Sequence, residues 1–455
     1  MSRRRFDYAV PDRWRAEVRL GTRVRIPFHG RRVGGWVTAL DVTPATKVQA
    51  LAITGVSGHG PPPAVLDLAA WAAWRWAMPL ATVLRLASPD RNVHVLPSPP
   101  PSASPEPRTC TAEEAVTGAN LLRRPPAEDL LPIVLEALDH PTAGTVVVLV
   151  PSTGWAARLT ERLRRRGVAV ADGWAQAAAG WPVVVGSRSA AWAPVAHLGA
   201  AVVLDCHDYQ DRYDPVEVLV ERAARDGAPC TLVSPCPSAV QQVRYGPVRA
   251  LGRAVEREGW PAVSVVDRRA ADPRTGLLSE ELVRLADRRP PRPEAPLVCV
   301  LNRTAPLLAC AGCGELVRCE GCGRTVGESG GELACRWCGQ VRPAVCASCG
   351  ATRLAVRRRS VSRVRGELAA LLGMETGEVW GPRQEVPEAP VLVGTEAVLH
   401  RVRRASSVAF LDFDQHLLAP RYVAAEDSLT LLARAGRLTG GRLAPGAAPG
   451  SAPGS

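Results

Sequence analysis

The chain has 455 residues, 46% of them apolar, enough to fill roughly two to four cores of ordinary domain size. With 56 basic against 44 acidic residues it carries a net charge of +12, which favours an anionic partner, nucleic acid first. No run of about 18 apolar residues occurs, so a membrane helix is not expected, and the only lysine, Lys47, lies in Pro44-Ala45-Thr46-Lys47-Val48. A P-loop needs a lysine in G-x-x-x-x-G-K-[ST], and the planar fork of arginine does not replace a compact ammonium. Ordinary P-loop nucleotide hydrolysis is therefore not expected. The basic start Met1 to Arg5 runs into Phe6-Asp7-Tyr8 instead of an apolar stretch, so no secretory signal is read and the protein is expected to be soluble and cytoplasmic. The positive charge is almost all arginine, which a GC-rich coding sequence would also produce.

In chain order, residues 14–57 read as β-rich. Val18 to Pro27 alternates apolar and polar residues, His29-Gly30-Arg31-Arg32 makes a basic turn, and Gly34 to Val42 resumes the strand pattern. Residues 64–77 read as a helix stopped by Pro79, with Trp71, Trp74 and Trp76 expected in packing. Residues 89–108 are a proline- and serine-rich linker. From 114 to 245 strand runs alternate with helices: Thr145 to Val150, then a helix carrying Trp155, Leu159 and Leu163, then Val183 to Val185, Ala201 to Leu204 and Thr231 to Val233. That alternation predicts a parallel sheet with ligands at the carboxyl ends of its strands. A second α/β unit starts at Leu297 to Leu301 and resumes at Val391 to Val393 and Val408 to Leu411. The Gly-, Ala- and Pro-rich tail from 440 is expected to be disordered.

Eight of the thirteen cysteines fall between Cys310 and Cys349 as four C-x-x-C pairs: Cys310/Cys313, Cys319/Cys322, Cys335/Cys338 and Cys346/Cys349. Gly314, Gly323, Gly339 and Gly350 each follow a pair, as a tight turn aiming two thiolates at one ion requires. Zinc takes four tetrahedral ligands, so eight thiolates give two structural Zn²⁺ sites with no open position. Four knuckles allow three pairings. The first and second are too close in sequence to fold easily onto one ion, which favours a nested arrangement: Cys319, Cys322, Cys335 and Cys338 inside, and Cys310, Cys313, Cys346 and Cys349 outside. Disulfides and iron–sulfur clusters are the less fitting rivals. Cys110, Cys206, Cys230, Cys236 and Cys299 are scattered and read as small buried apolar residues.

These features together resemble the PriA family of replication-restart proteins along nearly all of residues 6–437. Phe6-Asp7-Tyr8-Ala9-Val10-Pro11 resembles the family's FDY-x-x-P opening, and Val24 to Gly30 its VRVPFG turn. Trp74 to Pro89 resembles the end of the same domain. Val185 to Ala190 resembles VGTRSA, and Leu301-Asn302-Arg303 the LNRRG segment before the zinc module. Val391 to Thr395 resembles LVGT, and Leu411-Asp412-Phe413-Asp414 to Glu426 resembles LDAD…RAAE. The resemblance implies an α/β multidomain fold: a small β-rich N-terminal domain that binds a 3′ DNA end (1–97), a linker (98–113), a RecA-like helicase lobe (114–245), a connector (246–296), a second lobe (297–439) with the Cys₄ double zinc module at 307–352, and a tail (440–455). It implies a DNA-contacting set of Phe6, Asp7, Tyr8, Gly30, Arg31, Arg32 and Lys47, the last a weak candidate because Gln49 aligns better. It also implies that the family's opening strand before Phe6 and its C-terminal DNA-binding domain are missing.

The departures are as informative. Where the family has GKT, this chain has Leu121-Leu122-Arg123-Arg124-Pro125-Pro126. Where it has DEEH, this chain has Asp205-Cys206-His207-Asp208, and Ser234-Pro235-Cys236-Pro237-Ser238 replaces a SATPS-like motif. Asp205 could still hold Mg²⁺, but no glutamate remains to position water. The lobes therefore resemble a degenerate, helicase-dead type, with no catalytic residues and with ATP a doubtful cofactor. Implied partners are DNA forks and 3′ strand ends, primosome proteins, the replicative helicase or its loader, and single-strand binding protein. The chain is read as a monomer away from membranes. The other functional readings are an active ATP-dependent 3′–5′ DNA helicase and a zinc-ribbon protein-binding adaptor.

Overall fold

The computed structural model describes residues 5–43, 50–100, 119–139, 144–209, 213–268, 277–301, 307–323, 326–335, 338–357, 361–379, 385–417, 419 and 421–441. Lys47, Cys110, Asn302, Arg303 and most of the linker and tail lie outside these residues. The chain divides into two compact units, one of residues 1–124 and 129–252, the other of residues 125–128 and 253–455. Among the described residues no helix is long and apolar enough to cross a membrane.

The first unit opens with a three-stranded antiparallel sheet of β1 (Arg23–Phe28), β2 (Arg31–Trp36) and β3 (Gly55–Gly58), in the order β2-β1-β3. Phe28 pairs with Arg31, so the hairpin loop is only His29-Gly30. Both residues have positive φ, 45° and 73°, the conformation that matches a two-residue turn to strand twist. The second strand thus starts at Arg31, three residues before the expected Gly34, because the basic pair continues the ladder beyond the tip. Val18, Val24 and Ile53 form a small core beneath this sheet.

Helices Pro63–Arg75 and Leu80–Leu86 follow. Of the three tryptophans expected to pack, Trp71 and Trp76 do, but Trp74 is 78% exposed. Its helix buries Val65, Leu66, Leu68, Ala69 and Ala72, and Trp74 falls on the opposite face.

The larger sheet of this unit contains β4 (Ala119–Arg123), β5 (Thr145–Leu149), β6 (Val183–Gly186), β7 (Leu198–Leu204), β8 (Cys230–Ser234) and β9 (Arg249–Ala250). All its pairings are parallel, in the order β6-β5-β7-β8-β4-β9. Every residue of β5 and β7 is buried, as in a parallel sheet covered on both faces. One covering layer holds Leu131, Val134, Leu159 and Leu163. The other runs continuously from Leu68 and Val83 through Trp192 to Val216 and Leu219, joining the N-terminal helices to the lobe.

Helix boundaries follow local chemistry. The Ser152 side chain accepts the Trp155 N–H at 3.2 Å to start helix Thr153–Arg164. Asp214 caps helix Pro215–Asp226, which stops at left-handed Gly227. Inside that helix Arg222 is 2% exposed and donates to the carbonyls of Ala193 and Val195, both at 2.7 Å. Burial pushes its guanidinium pKa down to about 10, with Asp226 opposing the shift, so it stays charged at neutral pH. Arg222→Ala would strand two buried carbonyls. We expect about 3 kcal/mol of destabilisation in urea unfolding, with only part recovered by Arg222→Lys, whose single ammonium does not reproduce the fork.

The second unit holds a four-stranded parallel sheet of β10 (Leu297–Leu301), β16 (Thr376–Val379), β17 (Val391–Thr395) and β18 (Ser407–Phe410), in the order β16-β17-β10-β18. Between β10 and β16 lie the short strands of the cysteine module. β11 (Leu307–Cys310) pairs antiparallel with β15 (Leu354–Arg357), and β12 (Gly327–Ser329), β13 (Glu332–Ala334) and β14 (Val341–Pro343) form a meander. The segment expected as a connector is shared out: Arg249–Ala250 extends the first lobe's sheet, and helix Glu280–Arg288 buries Leu282 and Ala286 against the second.

Candidate DNA-end and metal sites

The FDY segment lies beside the β1–β2 hairpin. The Ala9 N–H donates to Leu51 O at 2.9 Å and Ala9 O accepts from the Ile53 N–H, which ties the segment into the small sheet. The Tyr8 hydroxyl donates to Pro27 O at 2.9 Å, and its burial raises its pKa. Phe6 packs edge-on against Phe28 with ring centroids 5.1 Å apart, and Phe28 stands edge-on to His29 at 4.4 Å. Phe6 nevertheless keeps 48% of its surface exposed. Asp7, Gly30, Arg31 and Arg32 are exposed as well. Six of the seven residues expected at a DNA end are thus placed on one β-rich domain, Phe6 against the hairpin and Gly30, Arg31 and Arg32 at its tip. The seventh, Lys47, is outside the described residues. His29, not among those expected, stands at the same hairpin tip with its ring beside Phe28.

The eight thiols gather into two groups, Cys310, Cys313, Cys346 and Cys349, and Cys319, Cys322, Cys335 and Cys338. Within each group all four sulfurs lie within 4.8 Å of one another. The Sγ–Sγ distances are 3.5 Å for Cys310–Cys349, 3.6 Å for Cys313–Cys346, 3.4 Å for Cys319–Cys338 and 3.5 Å for Cys322–Cys335. A tetrahedron with metal–sulfur bonds of about 2.3 Å has edges of about 3.8 Å, so the donor sets fit an ion with little adjustment. Each knuckle closes the same way. The N–H groups of Gly314, Gly323, Gly339 and Gly350 donate to the carbonyls of Cys310, Cys319, Cys335 and Cys346 at 2.8–3.0 Å, and all four glycines have φ between 70° and 77°. A side chain there would be strained. Backbone N–H groups of Cys313 and Gly312 pull the Cys310 pKa down to about 6, and those of Cys349 and Ser348 lower Cys346. Four thiolates fill a tetrahedron, so neither group offers a position for a reacting water.

The remaining described cysteines are a different chemical population. Cys206, Cys230 and Cys299 are buried, whereas Cys236, expected to be buried with them, is only half-buried. Burial raises all three thiols, Cys230 and Cys299 to about 12, which keeps them protonated and inert.

The carboxyl ends of β4, β7 and β8 are where a nucleotide would bind. Asp205 there has φ 49° and is 5% exposed. The Ser234 Oγ lies 2.9 Å from His207 Nδ1 and accepts the Cys236 N–H at 3.0 Å. Ser234 is completely buried and His207 half-buried. After β4 the Arg124 N–H goes to Ser234 O. Pro125 and Pro126 have no N–H to give a phosphate. The N–H groups of Ala127 and Glu128 go to Gly259 O and Pro125 O, both at 3.1 Å. Residues 125–128 pack within the second unit, where Pro125 covers Gly259, and a Cβ on Gly436 would lie 2.8 Å from Pro126. Asp129 accepts the Leu131 N–H at the start of the next helix and is clamped by Arg162, whose hydrogen bonds lower its pKa. A phosphate would meet a carboxylate here.

Of the arginine sets, Arg164 pairs with Asp172 and Arg165 with Glu161. Arg403 and Arg404 are exposed, and Arg358 and Arg359 lie outside the described residues. Arg434 pairs with Glu396 at 3.2 Å.

The model of a 3′ DNA-binding domain described for PriA matches residues 2–89. The replication restart protein PriA of Bacillus subtilis (strain 168) is 25% identical over 298 residues, which cover 58% of this chain. Both matches support a PriA-family assignment. The match spans 37% of the length of that PriA relative. Among solved structures, the helicase domain of Pyrococcus furiosus Hef is similar over 72% of this chain and 92% of its own, at 11% identity and TM-score 0.34. A DEAD box protein from Methanococcus jannaschii is similar over 71% and 79%, at 12% identity and TM-score 0.32. Within the PriA match, residues 2–89 contain the Phe6-to-Tyr8 segment and the whole β1–β2 hairpin.

Proposed function

We propose that this chain is a DNA-binding replication-restart protein that recognises branched forks at a 3′ strand end, holds two zinc ions, and works without hydrolysing ATP. The observation that carries the reading is the match of residues 2–89 to a 3′ DNA-binding domain, at the place where an exposed Phe6 ring stands beside the arginine-tipped hairpin. An exposed aromatic ring stacks on a terminal base, and exposed guanidinium groups take phosphates. Asp7 can accept a hydrogen bond from a terminal 3′-hydroxyl. The zinc reading is supported by two closed sets of four thiols in a chain whose other thiols are scattered. The reading without ATPase activity is supported by the turn after β4, where proline replaces phosphate donors. The primosome proteins, the helicase or its loader and single-strand binding protein belong to the same proposal as the partners that a restart role requires.

The test is fork affinity by fluorescence anisotropy with a free or a 3′-phosphorylated strand end. Blocking the end is expected to weaken binding about tenfold, the worth of one hydrogen bond to a charged group. Phe6→Ala should cost about 1–3 kcal/mol, and affinity should fall steeply with salt. Equal affinity for both forks removes the end-binding role, and salt-insensitive or absent fork binding favours a protein-binding adaptor. Fork-stimulated ATP turnover overturns the reading without hydrolysis in favour of an active helicase.

A further inference from the structure

The two thiol groups share a plan but differ in one hydrogen bond. In the outer group the third residue of the first knuckle, Gly312, sends its N–H to Cys310 Sγ at 3.3 Å. The equivalent residue of the inner group is Gly321. Its N–H goes to Gln340 Oε1 at 2.9 Å, and the same oxygen sits 3.2 Å from Cys319 Sγ. A Cβ on Gly321 would lie 2.7 Å from that oxygen, so the amide occupies the space directly over the knuckle. The donor to the oxygen is a backbone N–H, which fixes which end of the amide faces inward. The Gln340 backbone is also engaged, its carbonyl accepting the Cys335 N–H at 2.9 Å. That bond keeps the residue beside the site.

A metal-bound thiolate accepts hydrogen bonds and cannot donate one. N–H groups aimed at the sulfur stabilise it, and a carbonyl oxygen in contact with it does the reverse. Cys310 has its Gly312 donor. Cys319 loses the matching donor to Gln340 and gains an oxygen in exchange. For the inner thiolate to be served as the outer one is, the amide has to swing away and release the Gly321 N–H.

We infer that Gln340 is a positioning residue that makes the two metal sites unequal, with the inner site, Cys319, Cys322, Cys335 and Cys338, binding zinc more weakly and exchanging it faster than the outer one. This rests on the zinc reading above. The inner site is the one that a chelator or a competing thiol reaches first, and the side chain of Gln340 sets the rate.

The test follows release of zinc from the full chain into excess chromogenic chelator. Two phases of equal amplitude are expected, and Cys338→Ser should abolish the fast one, which assigns it. Gln340→Ala frees the Gly321 N–H and should slow the fast phase about fivefold, the equivalent of one net hydrogen bond, leaving the slow phase unchanged. Gln340→Glu places a carboxylate against the sulfur and should speed it. In ¹⁵N–¹H spectra of the zinc-loaded chain, the Gly321 amide should shift on Gln340→Ala while the Gly312 amide does not. A single release phase for both ions, or a faster inner phase in Gln340→Ala, overturns the inference. A chain that retains no zinc at all fails the zinc reading instead, which separates the two.

Discussion

Removing zinc with a chelator is expected to unfold residues 307–357 while the sheet β16-β17-β10-β18 stays folded. The described core of the module is Leu308, Val317, Val326 and Leu333, with Cys319 and Cys335 completing it. Its strands are three or four residues long. A segment of this size cannot bury enough apolar surface to hold itself together and needs staples. Structural zinc supplies about 10–16 kcal/mol per site in comparable small folds, and that binding energy is folding energy. The flanking sheet has its own supply, with Val298, Val300, Leu392 and Val398 in one layer and Leu297, Cys299, Val364 and Leu368 in the other. Hydrogen exchange followed by mass spectrometry reads both regions at once. Protection between Leu307 and Arg357 should vanish on chelation, and protection at Val298 and Val393 should persist. Cys335→Ser should lower the metal content from two ions to one and loosen the β12–β14 meander. Unchanged protection in the module after complete metal loss would sink this account.

Trp192→Ala should cost the first unit about 3–5 kcal/mol. Trp192 is 2% exposed. Its indole N–H donates to the Tyr213 hydroxyl at 3.1 Å. The Tyr213 ring stands 6.1 Å from Trp76, which in turn stands 5.4 Å edge-on from Trp71. This line of rings carries the core from the 3-10 turn after β6 to the end of helix Pro63–Arg75. The Trp174 indole N–H adds a bond to Ala87 O at 2.8 Å, and Arg75 pairs with Glu217 at 2.9 Å. The alanine variant should also make the N-terminal helices and the lobe melt in separate steps, while Trp192→Phe keeps most of the packing. Urea unfolding monitored by two probes, one in each part, checks this. A loss below about 1 kcal/mol, or one shared transition in the alanine variant, would mean that Trp192 is not what couples the N-terminal helices to the lobe.

The sequence was most legible where chemistry is local. Apolar runs announced β5, β6, β7 and β8, and the run Leu297 to Leu301 announced the centre of the second sheet. The C-x-x-C-G repeat announced four turns with left-handed glycines. Relations set by distant packing were harder to read. The spacing of Trp71, Trp74 and Trp76 does not say which face of the helix meets the lobe, and Trp74 turned outward. The strand pattern placed the hairpin turn too broadly because Arg31 and Arg32 look like loop residues, yet they pair with Phe28 and Pro27. Gln340 carries no motif; its position over Gly321 depends on how β13 and β14 fold back. The proline pair at 125–126 read as a gap in a motif, whereas its packing on Gly259 and Gly436 is visible only in three dimensions.

That proline pair sets a packing cost on any phosphate cradle at this turn. Arg124→Lys alone would supply a compact ammonium but no cradle, because two of the next four residues have no N–H and the N–H groups of Ala127 and Glu128 are already spent. A chain acquiring such a cradle would have to exchange both prolines, and each exchange would open space above Gly259 or Gly436, whose bare backbones receive those rings. Every intermediate on the way would lose packing before it gained a phosphate contact. The turn after β4 therefore carries packing that a phosphate cradle at the same place would have to displace.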